Sequence, residues 1–140
     1  MPPNRVLVDS SFLYTLYDRS APNNDLASAV AELYSGQFVI PYVVLTETAY
    51  LFRRAGEAPA VVRFLDALVA GNYQYEIVSP ADLTRARDIM AQYADAKLDF
   101  VDCCIMALTE RLNITQVCTF DHRDFNIFRP KHASHLEILP

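Results

Sequence analysis

Carboxylate residues follow or interrupt the most apolar segments of the chain. Asp9 follows the apolar run Val6-Leu7-Val8, and Asp121 follows a second short apolar run near the end of the sequence. Asp102 lies inside a long, almost uninterrupted apolar stretch, and Glu47 also has mostly apolar neighbours. Carboxylates gathered in one pocket raise each other's pKa unless a cation neutralises them. Because carboxylate oxygens without nitrogen or sulfur partners favour Mg²⁺ or Mn²⁺, this pattern predicts a divalent-cation site.

Each of these acids also has a structural interpretation. Asp9 could be a turn residue at a strand end, and Glu47 could be a solvated helix residue. Asp99 and Asp102 lie three residues apart at a predicted helix start, and an aspartate N-cap followed by a second acid favours the helix dipole. We therefore assign Asp99 mainly to capping and Asp102 mainly to metal binding. Asp121 and Asp124 could be loop residues, but we expect at least one of them to be functional.

The elements that would position these residues alternate along the chain. Apolar runs and their boundaries predict strands at 6–8, 38–40, 73–78 and 115–119, with a short edge strand at 136–139. Helical periodicity, caps and stops predict helices at 10–17, 26–34, 43–54, 60–70, 79–93 and 99–113. Strands separated by helices indicate a three-layer α/β fold, with a parallel sheet of four to five strands between helices. Ligands bind such sheets at the carboxyl ends of the strands, where the acids above would meet.

Composition limits the remaining possibilities. A chain of 140 residues with 52% hydrophobic content predicts a single domain over residues 1–140 with a substantial core. We expect no transmembrane helix, no signal peptide and a cytoplasmic location. The three cysteines, Cys103, Cys104 and Cys118, make no disulfide framework or zinc motif and are expected to pack in the core.

The charge is acidic overall but uneven. A formal net charge of −5 argues weakly against simple coating of nucleic acid. Four basic residues and three histidines nevertheless fall between positions 111 and 135; the basic residues are Arg111, Arg123, Arg129 and Lys131. A basic rim beside an acidic pocket suits a phosphodiester substrate, although a solvated tail explains the same residues equally well.

Four segments, taken in order, resemble the motifs of the PIN domain. They are VLVDSSFLYTLY, TETAYLF, LDFVDCCIMAL and TFDHRDF, and together they extend over essentially the whole chain. The set is similar to the VapC-like toxins of prokaryotic toxin–antitoxin pairs. It departs from the family where Cys103 and Cys104 replace the small residues that commonly follow the third acid, which we interpret as a packing change.

The resemblance implies an endoribonuclease that depends on Mg²⁺ or Mn²⁺. Its acidic quartet falls on Asp9, Glu47, Asp102 and Asp121, and the first, third and fourth of these would hold the metal. The supporting residues that it implies, or that lie beside the quartet, are Ser10, Thr119, Asp124 and Asp99. Hydrolysis by water oriented by Glu47 would give 5′-phosphate and 3′-hydroxyl ends and would not need the ribose 2′-hydroxyl.

The resemblance also implies partners. We expect an RNA substrate whose backbone is contacted by Arg123, Arg129 and Lys131. We further expect an antitoxin whose tail covers the acidic pocket by placing an arginine against the carboxylates. The large side chains of the early helices exceed what one small sheet needs, so some are expected to line a homodimer interface or an antitoxin groove, while core packing accounts for most of them. They are Phe12, Leu13, Leu16, Tyr17, Tyr42, Tyr50 and Phe52.

Two other functional classes remain as alternatives. A receiver-type phosphoacceptor also gathers aspartates around Mg²⁺, but it needs paired acids at the first strand and a lysine late in the fold. Asp9-Ser10, with Lys97 and Lys131 as the only lysines, fits that pattern poorly. A catalytically silent PIN-like scaffold or RNA-binding protein has the same fold. The intact quartet argues against it, since a scaffold has no reason to keep four buried carboxylates.

Overall fold

A parallel five-stranded sheet forms the centre of the computed structural model, which describes residues 4–140. The strands are β1 (Val6–Val8), β2 (Phe38–Pro41), β3 (Gln74–Glu76), β4 (Gln116–Cys118) and β5 (Glu137–Leu139). Their order in the sheet is β3-β2-β1-β4-β5, and all four neighbouring pairs are parallel. Leu7 in the middle of β1 pairs with Val39 on one side and Val117 on the other.

Helices connect the strands and flank the sheet. They are α1 (Ser10–Tyr17), α2 (Asn24–Leu33), α3 (Tyr42–Ala70), α4 (Pro80–Gln92), α5 (Phe100–Leu112) and α6 (His122–Ile127), with a 3₁₀ turn at Ala94–Ala96. Helix α1 packs against α2 and α3, while α4 packs against α5. The predicted three-layer α/β fold with a parallel sheet is confirmed.

The centre of the core explains the apolar patterns of the sequence. All three residues of β1 are fully buried, and every side chain of α5 from Asp102 to Thr109 is buried. The three cysteines are free and buried, as predicted, and burial raises the pKa of each thiol. Phe12 and Leu13 also belong to this core, so they do not line an interface. No helix within residues 4–140 is both long enough and apolar enough to cross a membrane.

Helix α3 contains the boundary that the sequence predicts between two helices. Gly56 and Glu57 have non-helical backbone angles, and Pro59 follows at the start of the second half. A Cβ atom on Gly56 would lie 2.9 Å from the Cβ of Ala60, so the two halves approach each other closely at this glycine. The break turns the second half of α3 back towards α1, where Phe64 contacts Tyr17.

The structure differs from the sequence analysis in two places near the acids. No helix was predicted after β4, but Asp121 occupies the N-cap position of the short helix α6 and Asp124 lies in its first turn. Phe125 and Phe128, both fully buried, hold this helix against the core. Arg111 does not belong to a basic rim around the acids, because it pairs with Asp82 at 3.0 Å. This pair links the end of α5 to the start of α4.

Candidate active site

The carboxyl ends of β1 and β4 are joined by a hydroxyl network around Asp9. Thr119 Oγ1 donates to Asp9 Oδ2 at 2.8 Å, and Ser11 Oγ lies 3.3 Å from the same carboxylate oxygen. Ser11 Oγ also accepts from the backbone N–H of Phe120 at 3.0 Å, while Thr119 Oγ1 accepts from the N–H of Asp121 at 3.0 Å. Because the strands are adjacent and in register, these contacts fix the Asp9 carboxylate, which is 3% exposed.

Glu47 reaches the same end of the sheet from the first half of α3. Its Oε1 accepts a hydrogen bond from Ser10 Oγ, and Ser10 Oγ also lies 3.5 Å from Asp9 Oδ1. Ser10 therefore connects the first two predicted acids through a single hydroxyl group. Glu47 is half-buried, so its carboxylate lies between the protein interior and solvent.

Helices α5 and α6 bring a second acidic group to this end of the sheet. The Asp99 side chain caps α5 by accepting from the N–H groups of Val101 and Asp102, at 3.0 and 3.3 Å. Asp124 Oδ2 accepts from the backbone N–H of Asp99 at 3.0 Å. Asp102 and Asp124 are both buried, at 5% exposure each, whereas Asp99 is exposed. The capping role predicted for Asp99 is thus present in the structure.

The electrostatics show that these two acidic groups share one site. The pKa of Asp102 is raised to about 9, chiefly by burial and then by the charge of Asp9 and a side-chain hydrogen bond with Asp124. Burial also raises the pKa of Asp9, as does the charge of Glu47, while the hydrogen bond from Thr119 lowers it. Asp9 and Asp102 therefore lie close enough to repel each other in a poorly solvated place, which favours a bound proton or cation.

The remaining residues predicted for the site are exposed on the surface. Asp121 is exposed at the start of α6, and its side chain makes no capping hydrogen bond. Arg123 lies over the acidic group, where its Nη1 contacts Asp124 Oδ1 at 2.8 Å. Arg129 is exposed and bonds the carbonyls of Asn126 and Phe128. Lys131 is exposed, and its backbone N–H bonds Glu110.

The donor chemistry of the site fits a divalent cation. Three buried carboxylates, from Asp9, Asp102 and Asp124, supply only oxygen ligands, and Glu47 adds a fourth carboxylate at the edge. Hard cations such as Mg²⁺ and Mn²⁺ take this ligand set and usually retain several waters. Within residues 4–140, however, no group of three or more His, Cys, Asp or Glu side chains is arranged so that it could hold a metal ion. The residue types therefore suit a divalent cation, but the side chains as they are placed do not form a coordination site.

Comparison with known proteins identifies the family. The sequence pattern of the PIN domain matches residues 6–129, which include all the acids described above. The chain belongs to the PIN domain family. No curated protein sequence matches this PIN domain.

Several solved structures share the fold of this PIN domain. VapC20 of Mycobacterium tuberculosis, described as a sarcin–ricin-loop-cleaving toxin, has a TM-score of 0.81 at 21% identity, covering 96% of this chain and 99% of that one. A toxin–antitoxin complex from Klebsiella pneumoniae gives a TM-score of 0.67 at 20% identity, with 86% and 89% of the two chains covered. PAE2754 from Pyrobaculum aerophilum gives 0.63 at 15% identity, covering 94% and 89%.

Sequence reasoning missed one member of this PIN domain site. Ser11 was not singled out, although it contacts Asp9, Thr119 and the backbone of Phe120. The available signal was the second hydroxyl of the Asp9-Ser10-Ser11 run. Because the two serines are neighbours on a helix, they point in different directions, one towards Glu47 and the other towards β4.

Proposed function

We propose that this PIN domain is an endoribonuclease that requires Mg²⁺ or Mn²⁺ and acts as the toxin of a toxin–antitoxin pair. The observation that carries the proposal is the buried pair Asp9 and Asp102, whose pKa values are both raised above the usual range of a carboxyl group. A buried carboxylate whose charge is not neutralised destabilises a fold, and a bound cation would remove that cost. Membership of the PIN family and the toxins among the structural neighbours support a nuclease over a scaffold.

The residues divide into roles by their position. Asp9, Asp102 and Asp121 would hold the cation, with Asp124 as a further buried carboxylate beside Asp102. When bound, the cation supplies Lewis acidity that neutralises charge on the scissile phosphate and eases the deprotonation of water. Glu47, held by Ser10, would orient the attacking water and accept its proton.

The other polar side chains keep these acids in place. Thr119 and Ser11 hold the Asp9 carboxylate in one orientation, and Asp99 fixes the first turn of α5, from which Asp102 projects. Arg123, Arg129 and Lys131 are proposed contacts to the RNA backbone. Of these, Arg123 is already paired with Asp124, so it would contact phosphate only by sharing or leaving that pair.

The first experiment is an RNA cleavage assay with purified protein. Mg²⁺, Mn²⁺ and EDTA are compared on unstructured RNA and on a sarcin–ricin-loop hairpin, since VapC20 is described as cleaving that loop. Asp9→Asn is the matched control because it keeps the shape of the side chain and removes its charge. We expect metal-dependent cleavage by the wild type, with 5′-phosphate products, that the control lacks.

Two outcomes would contradict this proposal. Equal cleavage by Asp9→Asn would mean that a contaminating ribonuclease is responsible. Absence of cleavage with either metal on both RNAs, together with no Mn²⁺ binding by calorimetry, would favour the scaffold alternative. Circular dichroism of both proteins establishes that the control is folded.

An antitoxin is the proposed protein partner. An open cleft of about 700 Å³ lies between α1 and the two halves of α3, with Tyr14, Tyr17, Phe52 and Phe64 among its lining residues. Its aromatic lining suits an apolar segment of a partner, which could continue from the cleft along α1 towards the acids. The toxin–antitoxin complex among the structural neighbours supports a partner of this kind. We further propose a cytoplasmic location, where an RNA substrate and an antitoxin would both be present.

We also propose that the protein forms a homodimer. Val62, Leu65 and Val69 are exposed on one side of the second half of α3, at the three- and four-residue spacing of a helix face. An exposed apolar face of this kind is typical of protein interfaces. Light scattering of the wild type and Leu65→Glu tests the proposal: a wild-type dimer that becomes monomeric in the variant is the expected result.

A further inference from the structure

The first half of α3 carries a solvent-facing stripe that starts at the active site. Glu47, Tyr50 and Arg54 are separated by three and four residues, so they lie on the same face of this helix. At the rise of an α-helix, Tyr50 lies about 4.5 Å and Arg54 about 10.5 Å beyond Glu47 along the axis. Glu47 bonds Ser10 at the carboxylate site. The stripe therefore leads directly away from the acids.

Tyr50 and Arg54 form a single exposed unit. The Arg54 guanidinium lies over the Tyr50 ring, 5.9 Å from its centroid. Tyr50 is 61% exposed although it is a large aromatic residue, and Arg54 is also exposed. Burial against the core therefore does not explain the aromatic ring at this position. The contact with Arg54 orders the ring and leaves much of its surface open.

Arg54 is one of five arginines that form no ion pair in the part of the chain that the structure describes; the others are Arg5, Arg19, Arg63 and Arg129. By contrast, Arg85 pairs with Glu110, Arg111 with Asp82 and Arg123 with Asp124. Arg54 forms neither an ion pair nor a hydrogen bond within residues 4–140, and its neighbour Arg53 pairs with Glu57 at 3.6 Å. On a chain of net charge −5, the stripe presents an uncompensated positive charge beside an exposed ring.

The chemistry of this pair matches single-stranded nucleic acid. Surfaces that bind single strands combine aromatic rings, on which bases stack, with cations that contact the backbone. Arg54 would contact a phosphate, and the Tyr50 ring would receive an unstacked base. An antitoxin segment would be drawn instead to the aromatic-lined cleft between α1 and α3, whose lining does not include Tyr50 or Arg54.

We propose that Tyr50 and Arg54 are the RNA-positioning surface of this enzyme, with Tyr50 stacking on a base near the cleavage site and Arg54 contacting a backbone phosphate. The proposal rests on the proposed ribonuclease function and adds the residues that hold its substrate. Both are positioning residues, since neither lies among the carboxylates where hydrolysis would occur. The surface favours a substrate whose bases are unpaired beside the cleaved bond.

The test measures RNA binding separately from cleavage. A fluorescently labelled single-stranded RNA 20-mer of random sequence is titrated in EDTA, and its anisotropy is followed at several salt concentrations. The variants are Tyr50→Ala, Tyr50→Phe, Arg54→Gln and Arg53→Gln. Arg53→Gln is the matched control: it removes the same charge from the adjacent residue, which projects about 100° away around the helix. Thermal unfolding of each variant shows that the fold is retained.

We expect Tyr50→Ala to weaken RNA binding about tenfold, the usual effect of losing one base–aromatic stack. Tyr50→Phe should bind as the wild type does, because the ring is kept. Arg54→Gln should reduce the slope of log affinity against log salt by about 0.7, the value for one phosphate contact on a single strand. Arg53→Gln should leave that slope unchanged. In cleavage assays, Tyr50→Ala should raise KM and leave kcat within about twofold, because uniform binding is lost.

Several results would overturn the proposal. Wild-type affinity in both Tyr50→Ala and Arg54→Gln would do so, as would an equal loss in Arg53→Gln, which would indicate a general charge effect. Failure of the wild type to bind the RNA would also reject it. Normal RNA binding combined with loss of a protein partner from both variants would assign the surface to protein recognition. A cleavage-competent Asp9→Asn protein would reject the nuclease proposal alone, since the anisotropy experiment does not depend on cleavage.

Discussion

Thr119 Oγ1 donates a hydrogen bond to Asp9 Oδ2 at 2.8 Å, which ties the carboxyl end of β4 to that of β1. The same hydroxyl accepts from the backbone N–H of Asp121, so it also fixes the start of α6. The bond lowers the pKa of Asp9 against the raising effect of burial. One threonine therefore both positions a proposed metal ligand and favours its ionised form.

Replacing Thr119 with valine should impair the site while changing little of its shape. Loss of the hydroxyl removes a bond that favours ionised Asp9, so the pKa of Asp9 should rise further. It also leaves the Asp121 N–H without its acceptor, at a cost of about 1–2 kcal/mol in unfolding free energy. Removing a group that orients a metal ligand typically lowers metal affinity or activity by about 10- to 100-fold. Mn²⁺ calorimetry, cleavage rates and urea unfolding measure the three effects.

Thr119→Ser is the control for this prediction because it keeps the hydroxyl and removes only a methyl group. It should retain metal affinity within about threefold of the wild type, since the bond to Asp9 is preserved. Equal loss in the serine and valine variants would show that packing of the methyl group, rather than the hydrogen bond, supports the site.

Metal binding should depend steeply on pH through Asp102. Its pKa is raised to about 9, chiefly by burial and then by the charge of Asp9, so about one carboxyl group in a hundred is ionised at pH 7 without metal. A cation must displace the proton, and the apparent affinity should therefore rise about tenfold per pH unit between pH 6 and pH 8. Calorimetry of Mn²⁺ binding in buffers of different ionisation enthalpy should also detect about one proton released per ion.

The same shift sets the pH dependence of stability in the metal-free protein. The folded state keeps a proton on Asp102 that the unfolded chain loses above about pH 4, so unfolding free energy should fall as pH rises towards 9. Asp102→Asn should remove this decline, and saturating Mn²⁺ should reduce it in the wild type. Parallel pH curves for the metal-free wild type and Asp102→Asn would contradict the assignment, as would Mn²⁺ affinity that is constant with pH.

The sequence was sufficient to predict the parallel sheet and the burial of Asp9 and Asp102. Apolar runs marked β1 and β4, and the apolar surroundings of Asp102 indicated burial that the structure contains. It was not sufficient for α6, because a six-residue helix has little intrinsic stability and depends on burial of Phe125 and Phe128. The sequence did not predict the ion pair of Arg111 either, because Asp82 lies 29 residues away along the chain.

Asp121 and Asp124 should respond differently to replacement by alanine. Asp124 is buried and accepts from the Asp99 N–H, so Asp124→Ala should lower unfolding free energy by about 2 kcal/mol. Asp121 is exposed and its side chain makes no capping hydrogen bond, so Asp121→Ala should change the unfolding free energy by less than about 0.5 kcal/mol. If Asp121 binds the cation as proposed, its variant should still lose cleavage. Urea unfolding and cleavage rates distinguish the effects, and a stable, fully active Asp121→Ala protein would exclude Asp121 from the metal site.

Glu57, at the break in α3, should be a site where glycine stabilises the protein. Its φ of 59° and ψ of −160° lie in a region that only glycine adopts without strain. Glu57→Gly should therefore raise unfolding free energy by about 1 kcal/mol, which corresponds to about 4 °C in Tm for a chain of this size. Glu57→Ala is the control, because it loses the same exposed contact with Arg53 but retains the strained backbone. Calorimetric melting should show a higher Tm for the glycine variant than for both the alanine variant and the wild type. An equal rise in Tm in both variants would instead show that the stabilisation comes from removal of the glutamate side chain.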